Sequence, residues 1–77
     1  MSVLKEYRTR DLYLSAYLKA SGVPFMGTLK VSGNVLFIFE NRDDLRSLKD
    51  SFFNRSGKVS ALDYADELRA LKSLCHA

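Results

Sequence analysis

The strongest constraint on the fold is a run of five residues that would be apolar on both faces of a β-strand. Val35–Phe39 reads Val-Leu-Phe-Ile-Phe, and successive strand residues point to opposite sides of a sheet. The preceding Ser32, Gly33 and Asn34 are residue types that favour a tight turn between two strands. We therefore predict a β-hairpin over residues 25–40, with its second strand covered on both faces.

A helix is predicted before the hairpin, over about residues 10 to 21, with Thr9 as its N-cap and Gly22 as its stop. Its polar positions recur every four residues and form one narrow strip: Asp11, Ser15 and Lys19. The remaining positions are mostly Leu, Tyr and Ala. A helix that is apolar over most of its circumference has to be buried on several sides.

Two further helices are predicted after the hairpin. Asn41 is expected to cap the first of them, which carries a core stripe of Leu45, Leu48 and Phe52. Ser60 opens the last helix with a pattern similar to a capping box. Its apolar face comprises Ala61, Tyr64, Ala65, Leu68, Leu71 and Cys75. The sequence therefore predicts one small α+β domain over residues 1–77, with two layers and the order helix, β-hairpin, helix, helix.

Composition limits the classes of function that fit this chain. The 77 residues carry a net charge of +3, a mild bias that is compatible with acidic partners. With one cysteine, Cys75, and one histidine, His76, we expect neither a disulfide framework nor a metal site, and no cofactor. No apolar run is long enough to span a membrane and the N-terminus lacks a signal-peptide pattern. We expect a cytoplasmic protein without a membrane partner.

Three segments resemble a known family. They are YRTRDLYLSAYLKASGVP, the aromatic strand VLFIFE, and FFN followed by VSALDYADELRALKSL. Their spacing of Tyr, Phe, Ala and Leu is similar to that of a family of short bacterial and phage-associated domains of unknown function, and the similarity runs from Tyr7 to Leu74. The resemblance implies a fold and supplies no catalytic residues. The loop after FFN differs from the family's acidic or glycine-rich turn, because Arg55 and Lys58 occupy it.

The loop RSGKVS does not fit a nucleotide-binding P-loop. Phe52 stands where the first glycine of that motif belongs, and Val59 follows Lys58 in place of Ser or Thr. A looser phosphate site at the start of the last helix, aided by Arg55, is opposed by that helix's early acids, Asp63, Asp66 and Glu67. The same acids disfavour a helix-turn-helix recognition helix. We interpret the segment as a solvated loop.

The middle helix carries the main basic feature, here called the basic seam: Arg42, Arg46, Lys49, Phe53, Arg55 and Lys58. Cations interleaved with an aromatic ring suit phosphate contact and base stacking. Two other interpretations stay open. Asp43 and Asp50 are spaced to pair with Arg46 on the helix surface, and the seam also suits an acidic protein partner. Near the N-terminus, Arg8 and Arg10 are expected to pair with Glu6 or Asp11, or to contact a ligand phosphate.

No Ser-His-Asp or Cys-His set is present, so we expect no enzymatic activity. The leading hypothesis is a small protein-interaction module that forms a homodimer, because the chain has more apolar surface than a two-layer domain of this length covers. The predicted dimer interface uses the hairpin and the first helix, through Tyr13, Tyr17, Leu36 and Ile38. The alternative is an accessory nucleic-acid-binding protein that uses the basic seam.

Overall fold

The computed structural model describes residues 6–54 and 58–75. Its elements in chain order are β1 (Glu6–Thr9), α1 (Leu12–Ala20), β2 (Phe25–Val31), β3 (Asn34–Glu40), α2 (Leu45–Phe53) and α3 (Ala61–Cys75). This confirms the α+β class and the order helix, hairpin, helix, helix. The sequence prediction missed β1, which precedes α1 and adds a third strand to the hairpin.

The three strands form one antiparallel sheet in the order β1-β3-β2. The apolar strand β3 is therefore central. In its pairing with the two edge strands, Phe39 lies opposite Tyr7 of β1 and opposite Phe25 of β2. Residues directly opposite one another share a face of the sheet. These aromatic side chains therefore lie on the same side, and the Phe25 and Phe39 ring centroids are 5.3 Å apart.

The hairpin turn contains Ser32 and Gly33, both with positive φ, at 51° and 83°. Two consecutive positive φ values give the turn whose twist matches that of the flanking strands, and glycine adopts them without a Cβ clash. Asn34, which we had placed in the turn, is the first residue of β3. The hairpin prediction is confirmed with its turn shortened by one residue.

The first helix begins two residues later than predicted. Its N-cap is Asp11, whose Oδ1 accepts a hydrogen bond of 3.0 Å from the Leu14 backbone N–H. The Thr9 cap was wrong, because the Thr9 hydroxyl accepts from the Asp11 N–H at 3.1 Å and thereby holds the capping residue itself. Ser15 is fully buried, and its Oγ donates to the Asp11 carbonyl at 2.8 Å. This bond lets one polar residue of the predicted strip enter the core.

Of the cap predictions for the other two helices, one is wrong and one is confirmed. Asn41 was wrong as an N-cap, because α2 begins at Leu45 and Asp44 stands at its N-cap without a side-chain capping bond. At the start of α3 the Ser60 hydroxyl accepts from the Asp63 N–H at 3.3 Å. The predicted Ser60 cap is therefore confirmed.

The core lies on one face of the sheet. Phe37 and Phe39 of β3 are buried there with side chains from all three helices, including Leu14, Leu45 and Leu71. The helices thus form a single layer, and the predicted apolar stripe of α2 faces the core. The predicted face of α3 does so through Tyr64, Leu68, Leu71 and Cys75, whereas Ala61 is exposed. The prediction that β3 is covered on both sides does not hold within one chain. Its alternate residues remain only half-buried on the second face.

Candidate functional site

The second face of the sheet carries a contiguous apolar surface, here called the open-face patch: Leu29, Val31, Leu36 and Ile38. Leu29 lies directly opposite Leu36 in the β2–β3 register. Leu29 and Val31 are 40% and 46% exposed, while Leu36 and Ile38 are half-buried between neighbouring strands. Since Leu36 and Ile38 alternate with the buried Phe37, the patch lies on the side of the sheet away from the helices.

Charges of both signs border this patch at one end of the sheet. Arg8 of β1 lies opposite Ile38, and Glu6 lies opposite Glu40. The Arg8 Nη2 is 3.0 Å from the Glu6 Oε1, which confirms one of the ion pairs predicted near the N-terminus. The sequence prediction could not place these residues on one surface, because it did not include strand β1.

The predicted interface residues do not form one surface. Leu36 and Ile38 lie together in the open-face patch, whereas Tyr13 is 53% exposed on α1, in the helical layer. Tyr17 is 6% exposed and lies in the core, with its ring centroid 5.4 Å from that of Phe52. Only the first two are therefore placed where a partner would meet the sheet.

The two tyrosines at the junction of α1 and α3 interact with each other. The Tyr64 hydroxyl donates a long hydrogen bond of 3.5 Å to the Tyr13 carbonyl. Burial raises the pKa of Tyr64 above its usual value of 10.0, and Tyr13 and Asp11 add to the rise by charge repulsion. A phenol whose pKa is raised stays protonated at neutral pH, so this site holds the helices together rather than supplying a base.

The basic seam is only partly available for a ligand. Arg42 forms a bidentate pair with Asp44, with Nε–Oδ1 and Nη2–Oδ2 distances of 3.1 and 2.9 Å. The Lys49 Nζ lies 4.5 Å from the centroid of the Tyr7 ring. Arg42 therefore binds the N-cap residue of α2, and Lys49 connects α2 with β1. Their partners explain much of the seam without a ligand.

The other described residues of the seam, Arg46, Phe53 and Lys58, are exposed. Within residues 6–54 and 58–75, Arg46 has no ion pair, so the predicted pairing with Asp43 and Asp50 is not found. Phe53 is 61% exposed and meets the Phe52 ring edge at a centroid distance of 5.2 Å. Lys58 is exposed as well. Arg55 lies outside the described residues, together with the first half of the RSGKVS loop that the sequence predicts to be solvated.

Other chemistry has little support in the part of the chain that is described. Those residues contain no group of three or more His, Cys, Asp or Glu placed to hold a metal ion. The Cys75 thiol is free and half-buried. An open depression of about 450 Å³ lies beside β1, lined by Glu6, Tyr7, Arg8 and Asn41. No helix among the described residues has the length and apolarity needed to cross a membrane.

The fold and these surfaces define a small α+β domain with three helices on one face of a three-stranded antiparallel sheet. The chain belongs to the family described as Domain of unknown function (DUF5659), which matches residues 4–77. This confirms the resemblance to a family of unknown function over nearly the whole chain. No curated protein and no solved structure matches the sequence.

Proposed function

We propose that this domain is a non-enzymatic protein-interaction module that forms a homodimer through the open-face patch. The observation that carries the proposal is the set of four apolar side chains on a sheet face that the described helices leave uncovered. Contiguous apolar surface of this kind marks interaction sites in soluble proteins. A half-buried side chain gains its remaining burial only when a partner covers it.

The border charges favour a second copy as that partner. In a two-fold symmetric interface each copy presents the same residues, so a surface must be complementary to itself. The open-face patch meets this condition, because Arg8 lies beside Glu6 and Glu40. A nucleic acid would meet two carboxylates at the same place, which disfavours it on this face.

The test is the oligomeric state measured by sedimentation across a concentration series. We expect a dimer at concentrations on the order of tens of micromolar, and loss of the dimer in Leu36→Lys, because the ammonium group would be buried without a partner. Leu62→Lys is the matched control. Leu62 is 69% exposed on α3, away from the sheet, so this variant should dimerise normally. A wild-type protein that stays monomeric throughout the series would overturn the proposal.

A second candidate function is nucleic-acid binding by the basic seam. It is favoured by the exposed Arg46, which has no ion pair within the described ranges, and by the exposed Phe53 ring nearby on α2. Such a pair suits contact with a phosphate and stacking on a base. The competing interpretation, a solvated helix face, rests on the intramolecular partners of Arg42 and Lys49.

Mobility shifts with single-stranded and duplex oligonucleotides, titrated with salt, test this candidate. Binding should weaken steeply with salt, and Arg46→Glu should weaken it further and lower the salt slope by about one. Lys72→Glu, an equal charge change on α3, controls for net charge. An affinity that does not change with salt, or that falls equally in Arg46→Glu and Lys72→Glu, would rule out a seam-specific site.

The cellular setting is also part of the proposal. We infer a cytoplasmic domain, on the basis of the single cysteine and the lack of a signal-peptide pattern, and a bacterial or phage-associated origin, which the resemblance of the sequence implies. What supports a non-enzymatic role is the sequence, which offers no Ser-His-Asp or Cys-His set. A survey of the genes that neighbour family members tests this setting. Phage or mobile-element neighbours would raise the weight of the nucleic-acid candidate, and an unrelated setting would lower it.

A further inference from the structure

We propose that the two copies stack face to face through their open-face patches, with Arg8 of each copy against Glu40 of the other. This inference rests on the proposed homodimer and specifies its geometry. The competing geometry is edge addition, in which β2 of each copy pairs with β2 of the other and the two sheets become one.

Both edges of the sheet are poorly suited to accept another strand. The part of β1 that the structure describes spans four residues, Glu6–Thr9. β2 is interrupted by a register shift between Phe25 and Gly27, and Lys30 lies near its end. Short strands, bulges and edge lysines are the features by which proteins discourage pairing between edges. Edge addition is therefore disfavoured on both sides.

The open face, in contrast, leaves room for a stacked partner. Gly27 lies directly opposite Ile38 in the β2–β3 register, and apart from its chain neighbours no residue has an atom within 4 Å of the place where its Cβ would be. The missing side chain leaves open space beside Ile38. Side chains of stacked sheets interdigitate across the interface, so a partner's apolar side chain can occupy this space.

The charges at the border supply the second argument. Glu6 and Glu40 lie directly opposite each other, an arrangement of like charges that is unfavourable. Arg8 pairs with Glu6, while Glu40 is exposed and has no ion pair in the described ranges. A guanidinium group has five N–H donors, so one carboxylate does not saturate it. In a stacked dimer, Arg8 of one copy offers its remaining donors to Glu40 of the other.

The two geometries are distinguished by cross-linking single cysteines with a short bismaleimide in a Cys75→Ser background. Stacked sheets are about 10 Å apart, which brings the central strands β3 of the two copies face to face. In an edge-paired dimer the two β3 strands are three strand spacings apart, about 14 Å, and their side chains do not face each other. Leu36→Cys reports on stacking, and Thr28→Cys on the β2 edge reports on edge addition.

We expect a cross-linked dimer from Leu36→Cys and little from Thr28→Cys. Sedimentation of each variant before cross-linking establishes that it still dimerises; if Leu36→Cys does not, Ile38→Cys on the same strand and face replaces it. A dimer that links only through Thr28→Cys would overturn the stacked geometry and the use of the open-face patch, while homodimerisation itself would stand. A wild-type monomer at every concentration would instead overturn the proposed function itself.

Charge reversal tests the ion pair. Each substitution acts twice in a symmetric dimer, so Arg8→Glu or Glu40→Arg alone should raise the dimer Kd about 2- to 30-fold, as expected for two exposed ion pairs. The combined variant Arg8→Glu/Glu40→Arg should return most of the affinity. Thermal unfolding at a concentration where each variant is monomeric separates a change in the stability of the fold from a change in dimer affinity. Unchanged Kd values in both single variants, or a double variant weaker than either, would refute the pairing.

Discussion

Removal of the Asp11 carboxylate is expected to destabilise the whole domain, because this side chain caps the helix that joins the sheet to α3. Its Oδ1 accepts a 3.0 Å hydrogen bond from the Leu14 N–H, one of the backbone donors that a helix start leaves without an internal partner. Within residues 6–54 and 58–75 the Asp11 carboxylate forms no ion pair, and the Tyr64 phenol lies close enough for their charges to interact. Asp11→Ala therefore removes mainly the cap.

The expected loss follows from that single bond. Replacing an Asp cap by Ala costs about 0.5–2 kcal/mol, typically ~1 kcal/mol. For a domain of this size, 1 kcal/mol corresponds to a fall in Tm of about 4–8 °C. Thermal unfolding followed by far-UV circular dichroism, at a concentration where the protein is monomeric, measures this directly. Urea unfolding at 25 °C gives the free energy of unfolding independently.

The control is Asp43→Ala. Asp43 is exposed ahead of α2, and the N-cap of that helix is its neighbour Asp44, which makes no side-chain capping bond. Loss of the Asp43 carboxylate should therefore change the free energy of unfolding by less than about 0.5 kcal/mol. Thr9→Val tests the support of the cap, since it removes the hydroxyl that accepts from the Asp11 N–H. An Asp43→Ala variant that loses as much stability as Asp11→Ala would show that the assigned cap does not determine the stability of α1.

Four further variants probe the core and the helix pairing. Phe39→Leu should lower the free energy of unfolding by about 1–3 kcal/mol in urea titration, because the fully buried ring leaves a cavity. Tyr64→Phe should flatten the pH dependence of stability above about pH 10. Because the pKa of Tyr64 is raised, the folded state holds the phenol proton more firmly than the unfolded state does. The stability that this proton contributes is present below the unfolded pKa and is lost as pH rises through the folded pKa. Lys19→Met should cost about 0.5–1 kcal/mol because its 3.0 Å pair with Glu67 is partly buried, whereas Arg69→Met, which breaks an exposed 3.4 Å pair, should be neutral in the same assay.

The elements that sequence could predict are those whose signal is local. α2 and α3 follow from apolar residues at helical spacing, and the hairpin follows from the apolar run and its turn. β1 gives no comparable signal, because four residues reading Glu-Tyr-Arg-Thr become a strand only through pairing with β3, some thirty residues away. Caps were hard to locate for a related reason. Thr9 and Asp11 both have capping side chains, and only the backbone path decides between them.

The site was harder to predict than the fold. Helix α1 is apolar on nearly every side, so sequence alone could not tell the buried Tyr17 from the exposed Tyr13. Surface charges have several carboxylates within reach, and Arg42 pairs with Asp44 whereas Arg46, which has better helical spacing to its acids, pairs with none in the described ranges. Leu36 and Ile38 alternate with the buried Phe37, so strand alternation fixes their face once the core face is known.

The two candidate functions occupy opposite sides of the domain, and this makes them separable by experiment. The open-face patch lies on the uncovered side of the sheet, whereas the exposed part of the basic seam lies on α2, in the helical layer. Leu36→Lys should therefore abolish dimerisation without removing Arg46, and Arg46→Glu should leave the sheet surface intact. If nucleic-acid binding exists but disappears in Leu36→Lys, the two surfaces act together, because a dimer carries two seams and gains affinity from both.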